Sequence, residues 1–505
     1  MSSLTSPSPA GAPATGPIRD REARIEACGR RLLERAAQTK APMWARERWE
    51  EALMRRLMSD ERFKTQALRF VDVLPALRSD EEIVRHLSEY FQGEELPIPG
   101  VAQWGLALAQ RSGVAAAAAA IAVRRAITRL AHRFIGGASV RDAFRAVERL
   151  RRDGMAFTLD VLGEATVSEA EAEEYRRRYL DLIEALAPQV ARWPLVPLLD
   201  RTSTRPAARL DLSVKLSALY SQINPADPEG SAAAIRDRLR PILRRARETG
   251  AAITFDMEQY DLKDTVLCVF QQLLMEPEFR DWPDAGIAIQ AYLRETETDL
   301  PALIDWARRR GTPIKVRLVR GAYWDYETVV ARQHGWPIPV FTQKDETDRL
   351  YERGVEWLFE AYPHVEPAIA THNVRSIALA LTLAEERGID PRDYEIQMLY
   401  GMADALKEAV VAEGARLRVY VPFGELIPGM AYLVRRLLEN TASQSFLRLG
   451  FAEHAPLEVL LRPPAPVPSP DGDAPPSAGY RIEPVHRFTD EGEREQFRRA
   501  LARVR

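Results

Sequence analysis

The chain has 505 residues, with 70 basic and 73 acidic side chains that leave a formal net charge of −3. That length exceeds what one hydrophobic core supports and predicts two or three structural units, while balanced charge without a long cationic block removes the electrostatic basis for nucleic-acid binding. Cys28 and Cys268 are the two cysteines, far apart and with no CxxC or Cys/His spacing, which excludes a disulfide framework and a zinc site and fits a reducing cytoplasm.

Residues 1–17, rich in Ser, Pro, Ala and Gly, lack the basic start and apolar core of a secretion signal and read as a disordered tail. From 18 to 150 the pattern is helical throughout, a helical arm and domain. Its longest apolar run, Val114 to Val123, is far shorter than the roughly 20 residues of a membrane span and reads as a helix of high propensity.

After Leu150 short apolar or alternating runs recur, each followed by an amphipathic segment. Eight are readable: "MAFTLD" ending at Asp160, "LDLSVKL" around Lys215, "AITFD" ending at Asp256, "GIAIQAY" ending at Tyr292, "IKVRLV" ending at Val319, "AIATH" ending at His372, "YEIQML" ending at Leu399 and "RVYVP" ending at Pro422. Helix starts are signalled by Ser168-x-x-Glu171 and by Asn373. Eight strand–helix units over 151–446 predict an α/β fold, a (β/α)8 barrel with its active site at the C-terminal strand ends. Residues 447–479 read as a tail and Pro-rich linker, and 480–505 as a charged helical segment.

Strand alternation groups Thr158 with Asp160, Thr254 with Asp256, Gln290 with Tyr292, Lys315 with Arg317 and Glu395 with Gln397. Because the outer face of a barrel strand must pack on helices, this polar parity is expected to point inward. Lysine occurs seven times, so Lys215 inside "LSVKLSAL" is a charge that must be paired or used, with Asp256 as its expected partner. After the last strand, Tyr432, Arg435, Arg436 and Glu439 share one helical stripe, and beside Lys215 the two arginines suit a carboxylate. A solvated stripe is the plainer reading of such a helix. "VRLVRGAYWDYE" places Gly321 at a strand end beside Tyr323 and Trp324, and "ATHNV" places His372 and Asn373 before a helix N-terminus. No GxGxxG follows a strand, and GxxxxGK[ST], HExxH and GxSxG are absent, so a dinucleotide would not be held by a Rossmann unit.

"DLSVKLSAL", "ITFDMEQYDLKD", "VRLVRGAYWDYE", "ATHN" and "AYLVRRLLEN", in order between Phe157 and Phe446, resemble the motif series of the proline dehydrogenase family, most closely the dehydrogenase half of bacterial bifunctional proline-utilisation enzymes. The resemblance implies a distorted (β/α)8 barrel that binds FAD, oxidises L-proline to Δ1-pyrroline-5-carboxylate and passes electrons to a membrane quinone. It implies that Lys215, Arg435 and Arg436 hold the substrate carboxylate, that Asp256 orients the lysine, and that Tyr323, Leu399, Tyr420 and Tyr432 wall the ring. It places Arg317 near the flavin, with Gln290, Val319, Gly321, Trp324, Thr371, His372, Asn373 and Glu439 around the cofactor, and no metal. Arg320 stands where relatives often carry lysine, and no ribbon-helix-helix pattern precedes the arm. The end of the chain resembles the lead-in to an aldehyde dehydrogenase half. Two expectations follow: a single-activity protein working with a separate pyrroline-5-carboxylate dehydrogenase, or a fragment of the bifunctional enzyme. The expected location is cytoplasmic, with peripheral contact at the inner membrane face. Two alternatives stand beside this reading, a Schiff-base lyase at Lys215 and a non-catalytic barrel scaffold.

Overall fold

The computed structural model describes residues 16–38, 60–73, 76–77, 79–90, 121, 133–163, 165–425, 456–465 and 485–504. The 1–15 part of the expected tail, most of the alanine-rich run and the whole 426–450 stretch, with Tyr432, Arg435, Arg436 and Glu439, lie outside the described residues.

Among the described residues, four helices precede the barrel: α1 (Gly16–Gln38), α2 (Glu61–Val73), α3 (Asp80–Tyr90) and α4 (Val140–Arg152). The barrel runs β1 (Ala156–Val161), α5 (Glu169–Ala191), β2 (Asp211–Val214), α6 (Pro228–Thr249), β3 (Ala252–Phe255), α7 (Lys263–Met275), β4 (Ala285–Gln290) and α8 (Thr296–Arg310). It continues through β5 (Ile314–Val319), α9 (Trp324–His334), α10 (Lys344–Glu360), β6 (Val365–Ala370), α11 (Val374–Glu386), β7 (Glu395–Leu399), α12 (Asp404–Ala412) and β8 (Leu417–Phe423). The eight strands pair in parallel and in sequence order, and β1 closes on β8 with Thr158 opposite Tyr420. A last helix, α13 (Glu491–Val504), follows the described 456–465 segment.

Local signals set the helix starts. The Ser168 hydroxyl accepts from the Glu171 amide at 3.3 Å and opens α5, and Asn373 Oδ1 accepts from the Ser376 amide at 3.2 Å and opens α11. Both caps satisfy a backbone donor that the helix itself cannot reach.

The apolar parity of each strand, with Leu212, Val214, Ile253, Phe255, Ile287, Val316, Leu318, Ile396, Val419 and Val421, is fully buried in one core that includes the surrounding helices. The polar parity bonds across the barrel interior, as expected from alternation. In the lower layer, Arg418 Nε lies 2.9 Å from Glu395 and Nη1 3.4 Å from Asp211, while Lys315 lies 3.3 Å from Glu395 and 3.7 Å from Asp211. Gly286 makes room for this layer, since a Cβ there would stand 3.1 Å from that of Lys315. Below it a cavity is lined by Arg205, Lys315, Glu366, Arg416 and Arg418. Arg205 is held by Asp284 at 2.7 Å and by Glu366 at 2.5 Å, so this end serves as a floor of matched charges.

Helix α1 lies across α11 and α12, burying Ile25, Cys28, Leu32 and Ala36 in the main core. Arg375 of α11 anchors it, with Glu22 at 2.8 Å and Glu352 at 2.8 Å. No helix among the described residues is long and apolar enough to cross a membrane.

Candidate active site

The upper ends of β1, β2, β3, β5 and β8 converge on one ion cluster. Lys215, the residue after β2, is 6% exposed, and its Nζ reaches Asp256 Oδ2 at 3.1 Å and contacts Asp160 Oδ1 more closely. Asp256, just beyond β3, also accepts from Arg317 Nη1 at 2.7 Å and from the Tyr420 hydroxyl at 2.7 Å. Arg317 is fixed further by Gln397 at 2.7 Å and Ser213 at 3.0 Å, and its guanidinium lies 5.1 Å from the centre of the Tyr420 ring. Two cations and two carboxylates, each 7% exposed or less, are thus gathered where interactions are stronger than at the surface.

Burial alone would push the Lys215 amine down, but Asp160, Tyr420 and Asp256 outweigh it and hold the amine well above its usual range. Burial pushes the Asp160 carboxyl up, and Lys215 only partly offsets this. For Asp256 the balance runs the other way: burial raises it, but Lys215 and Arg317 together bring it below the usual carboxylate range.

Gln290, the last residue of β4, donates to the Glu258 carbonyl at 3.1 Å, and Glu258 accepts from the Ser217 amide at 3.1 Å. Among the described residues, Gln290 Oε1 and Arg317 Nη2 are buried with no hydrogen-bond partner. An acceptor and a charged donor left unpaired on adjacent strands are costly unless a ligand uses them.

The β5 end supplies the next group. Val319 closes the strand, its carbonyl accepting from the Ala291 amide at 2.8 Å. Gly321 has φ +134°, and a Cβ there would meet the Tyr292 ring at 2.4 Å, so glycine is required both by conformation and by space. Tyr323 precedes α9, and Trp324, 40% exposed, donates through Nε1 to the Phe341 carbonyl at 2.8 Å. Arg320 is wholly engaged with the protein: Asp348 at 2.7 Å, Thr371 at 2.8 Å, Ser376 at 3.0 Å and the Tyr351 ring at 4.2 Å. Thr371 also receives the Asn373 amide at 3.0 Å, and His372 Nε2 accepts the Leu399 amide at 3.1 Å, which ties the β6 end to the β7 end.

Of the residues singled out from sequence, Lys215, Asp256, Arg317 and Tyr420 therefore meet in one cluster, while Gln290, Val319, Gly321, Tyr323, Trp324, Thr371, His372, Asn373 and Leu399 sit on the same rim of strand ends. Asp160, Ser213, Gln397 and Glu258 belong to this network and were not singled out as site residues. Asp160 and Gln397 carried a usable signal, since both stand on the inward polar parity.

The Proline dehydrogenase family profile matches residues 143–449, and the Proline utilization A N-terminal domain profile matches residues 22–134. The chain is 31% identical over 354 residues to the Bifunctional protein PutA of Escherichia coli (strain K12), covering 68% of this chain and 26% of that protein. It is 31% identical over 324 residues to Proline dehydrogenase 1 of Bacillus subtilis (strain 168), covering 64% of this chain and 91% of that protein. A solved structure of proline utilization A from Bdellovibrio bacteriovorus, inactivated by N-propargylglycine, superposes with a TM-score of 0.87 at 41% identity, over 96% of this chain and 48% of that one. The chain spans about a quarter of the length of the bifunctional relatives.

Proposed function

This chain belongs to the proline dehydrogenase family, and on that premise we propose that it oxidises L-proline to Δ1-pyrroline-5-carboxylate at the upper mouth of its barrel, the first step of proline catabolism. The observation that carries this reading is Lys215, buried and kept charged between Asp160 and Asp256 at the strand ends of a family-matched barrel. A fixed ammonium is a suitable anchor for a substrate carboxylate. Arg435 and Arg436, supplied by the stretch after β8, complete the clamp in this reading, with Tyr323, Leu399, Tyr420 and Tyr432 around the ring. Anchoring the carboxylate aims the carbon next to the ring nitrogen, so the chain contributes mainly by orientation.

The cofactor of this reading is FAD. The unpaired acceptor of Gln290 and donor of Arg317 suit the mixed donor and acceptor edge of a flavin, and the Gly321 turn, Val319, Trp324, Thr371, His372, Asn373 and Glu439 would hold the rest of it. A bound flavin supplies the two-electron acceptor for the hydride lost from proline. Asp256 holds Lys215, Arg317 and Tyr420 in one arrangement on the substrate side. A membrane quinone is the proposed final acceptor, reached by peripheral contact of a cytoplasmic protein, and a pyrroline-5-carboxylate dehydrogenase is the proposed consumer of the product.

A Schiff-base lyase would need Lys215 as a neutral amine, whereas its two carboxylate neighbours stabilise the ammonium form. The test is the visible absorption of the purified protein. Flavin bands that co-purify and bleach on addition of L-proline are expected; a colourless protein that binds no added FAD would overturn the reading.

A further inference from the structure

The loop after β3 begins in the ion cluster and ends elsewhere. Asp256 faces Lys215, Glu258 holds Ser217 and receives Gln290, and the Tyr260 amide donates to Glu327 Oε1 of α9 at 2.7 Å. Glu327 stands three residues after Trp324, so this bond joins the loop that carries Asp256 to the helix that opens on Tyr323 and Trp324. Its side chain is only 2% exposed, and burial together with the nearby Asp261 carboxylate pushes its carboxyl up, which a cation close by offsets in part.

That cation comes from the far end of the chain. Arg487 donates to Asp261 Oδ1 from Nε at 2.9 Å and from Nη2 at 2.8 Å, and its Nη2 lies 4.0 Å from Glu327 Oε2. Its guanidinium lies between two aromatic rings, 4.4 Å from the centre of Tyr260 and 4.7 Å from that of Trp336. Thr489 adds a contact to Asp261 at 3.3 Å, and Trp336 Nε1 donates to the Val485 carbonyl. With its side chain 11% exposed, Arg487 is set in a built socket drawn from two barrel loops and one helix.

We infer that Arg487 is a positioning residue for the active site: residues 485–489 form a strap that fixes the loop behind Asp256 to the helix behind Gly321, and so sets the substrate side of the site against the cofactor side. The inference rests on the flavin and proline reading for what those two sides bind. Arg487 touches neither ligand in it and acts through Asp261 and Glu327.

The test compares Arg487→Met and Arg487→Lys in the full chain, with Arg498→Met, which removes an exposed pair of α13 with Glu229, as the control. Loss of two charge-assisted hydrogen bonds predicts that Arg487→Met weakens FAD binding and raises the proline KM by on the order of tenfold each, with a smaller change in kcat, and that Arg487→Lys recovers part of the loss. Hydrogen exchange of the same proteins should quicken in 256–263 and 323–336 for Arg487→Met and stay unchanged for Arg498→Met. Unchanged exchange in both segments sinks the strap whether or not the protein binds FAD. Faster exchange with wild-type FAD affinity and KM sinks the positioning role. A wild-type chain that takes up no FAD counts against the functional reading, while the exchange data still decide the strap.

Discussion

Lys215 is surrounded by groups that make sense only if it stays charged. Removing its ammonium leaves Asp160 and Asp256 facing each other in a buried site, and Lys215→Met is expected to cost about 3–5 kcal/mol at neutral pH, read from urea unfolding. Because burial already raises the Asp160 carboxyl, protonation relieves the repulsion, so the gap from wild type should narrow as the pH falls. A gap that widens toward acid pH contradicts this assignment of charge. For the arginine pair of the proposed clamp, Arg436→Met is expected to raise the proline KM far more than it lowers flavin content; an unchanged KM would contradict the clamp. At this scale the sequence pointed to Lys215 by the scarcity of lysine and to Asp256 by its place at the next strand end, but Asp160 and Asp256 look alike in one dimension. What separates them is that Arg317, two strands from β3, reaches Asp256 at 2.7 Å, a contact between residues 61 apart in the chain.

Among the elements, the strand ends carry the proposed site, and the Gly321 turn beside it is conformationally demanding. Gly321, two residues beyond the end of β5, has positive φ and lies against Tyr292, so Gly321→Ala adds backbone strain of about 1–3 kcal/mol and a steric clash with that ring. The expected outcome is a lower Tm together with a lower ratio of flavin to protein absorbance after purification. A variant that matches wild type in both would show that this turn tolerates a side chain. The strands and the caps of α5 and α11 were legible because alternation and capping are local. The engagement of Arg320 by Asp348, Thr371 and Ser376 was not, since those partners come from α10, the β6 end and α11.

Across the whole molecule, the barrel interior is a stack of polar layers enclosed by an apolar shell. Glu395 is fully buried, yet Arg418 and Lys315 overcome the burial penalty and hold its carboxyl far below the usual range. A carboxylate depressed in the folded state stabilises above its unfolded pKa, about 4.3 for Glu, and that stability is lost as pH falls toward the folded value. Glu395→Gln is therefore expected to lower stability by about 3–5 kcal/mol at pH 7, and by progressively less below about pH 4. Thermal melts across that range provide the measurement, and a constant deficit down to acid pH would refute the assignment.

The sequence by itself determined the eight-unit barrel, the inward polar parity and the candidate strand-end residues, because side-chain periodicity and turn chemistry act over a few neighbouring positions. Only the tertiary structure decided which charges meet. It set Lys215 between two aspartates rather than beside one, placed Arg317 on Asp256, and brought Arg487 from the C-terminal segment onto Asp261 and Glu327. Those pairings depend on barrel closure and chain return, which place residues far apart in sequence within a few ångströms, where Coulomb interactions and desolvation act on distance alone.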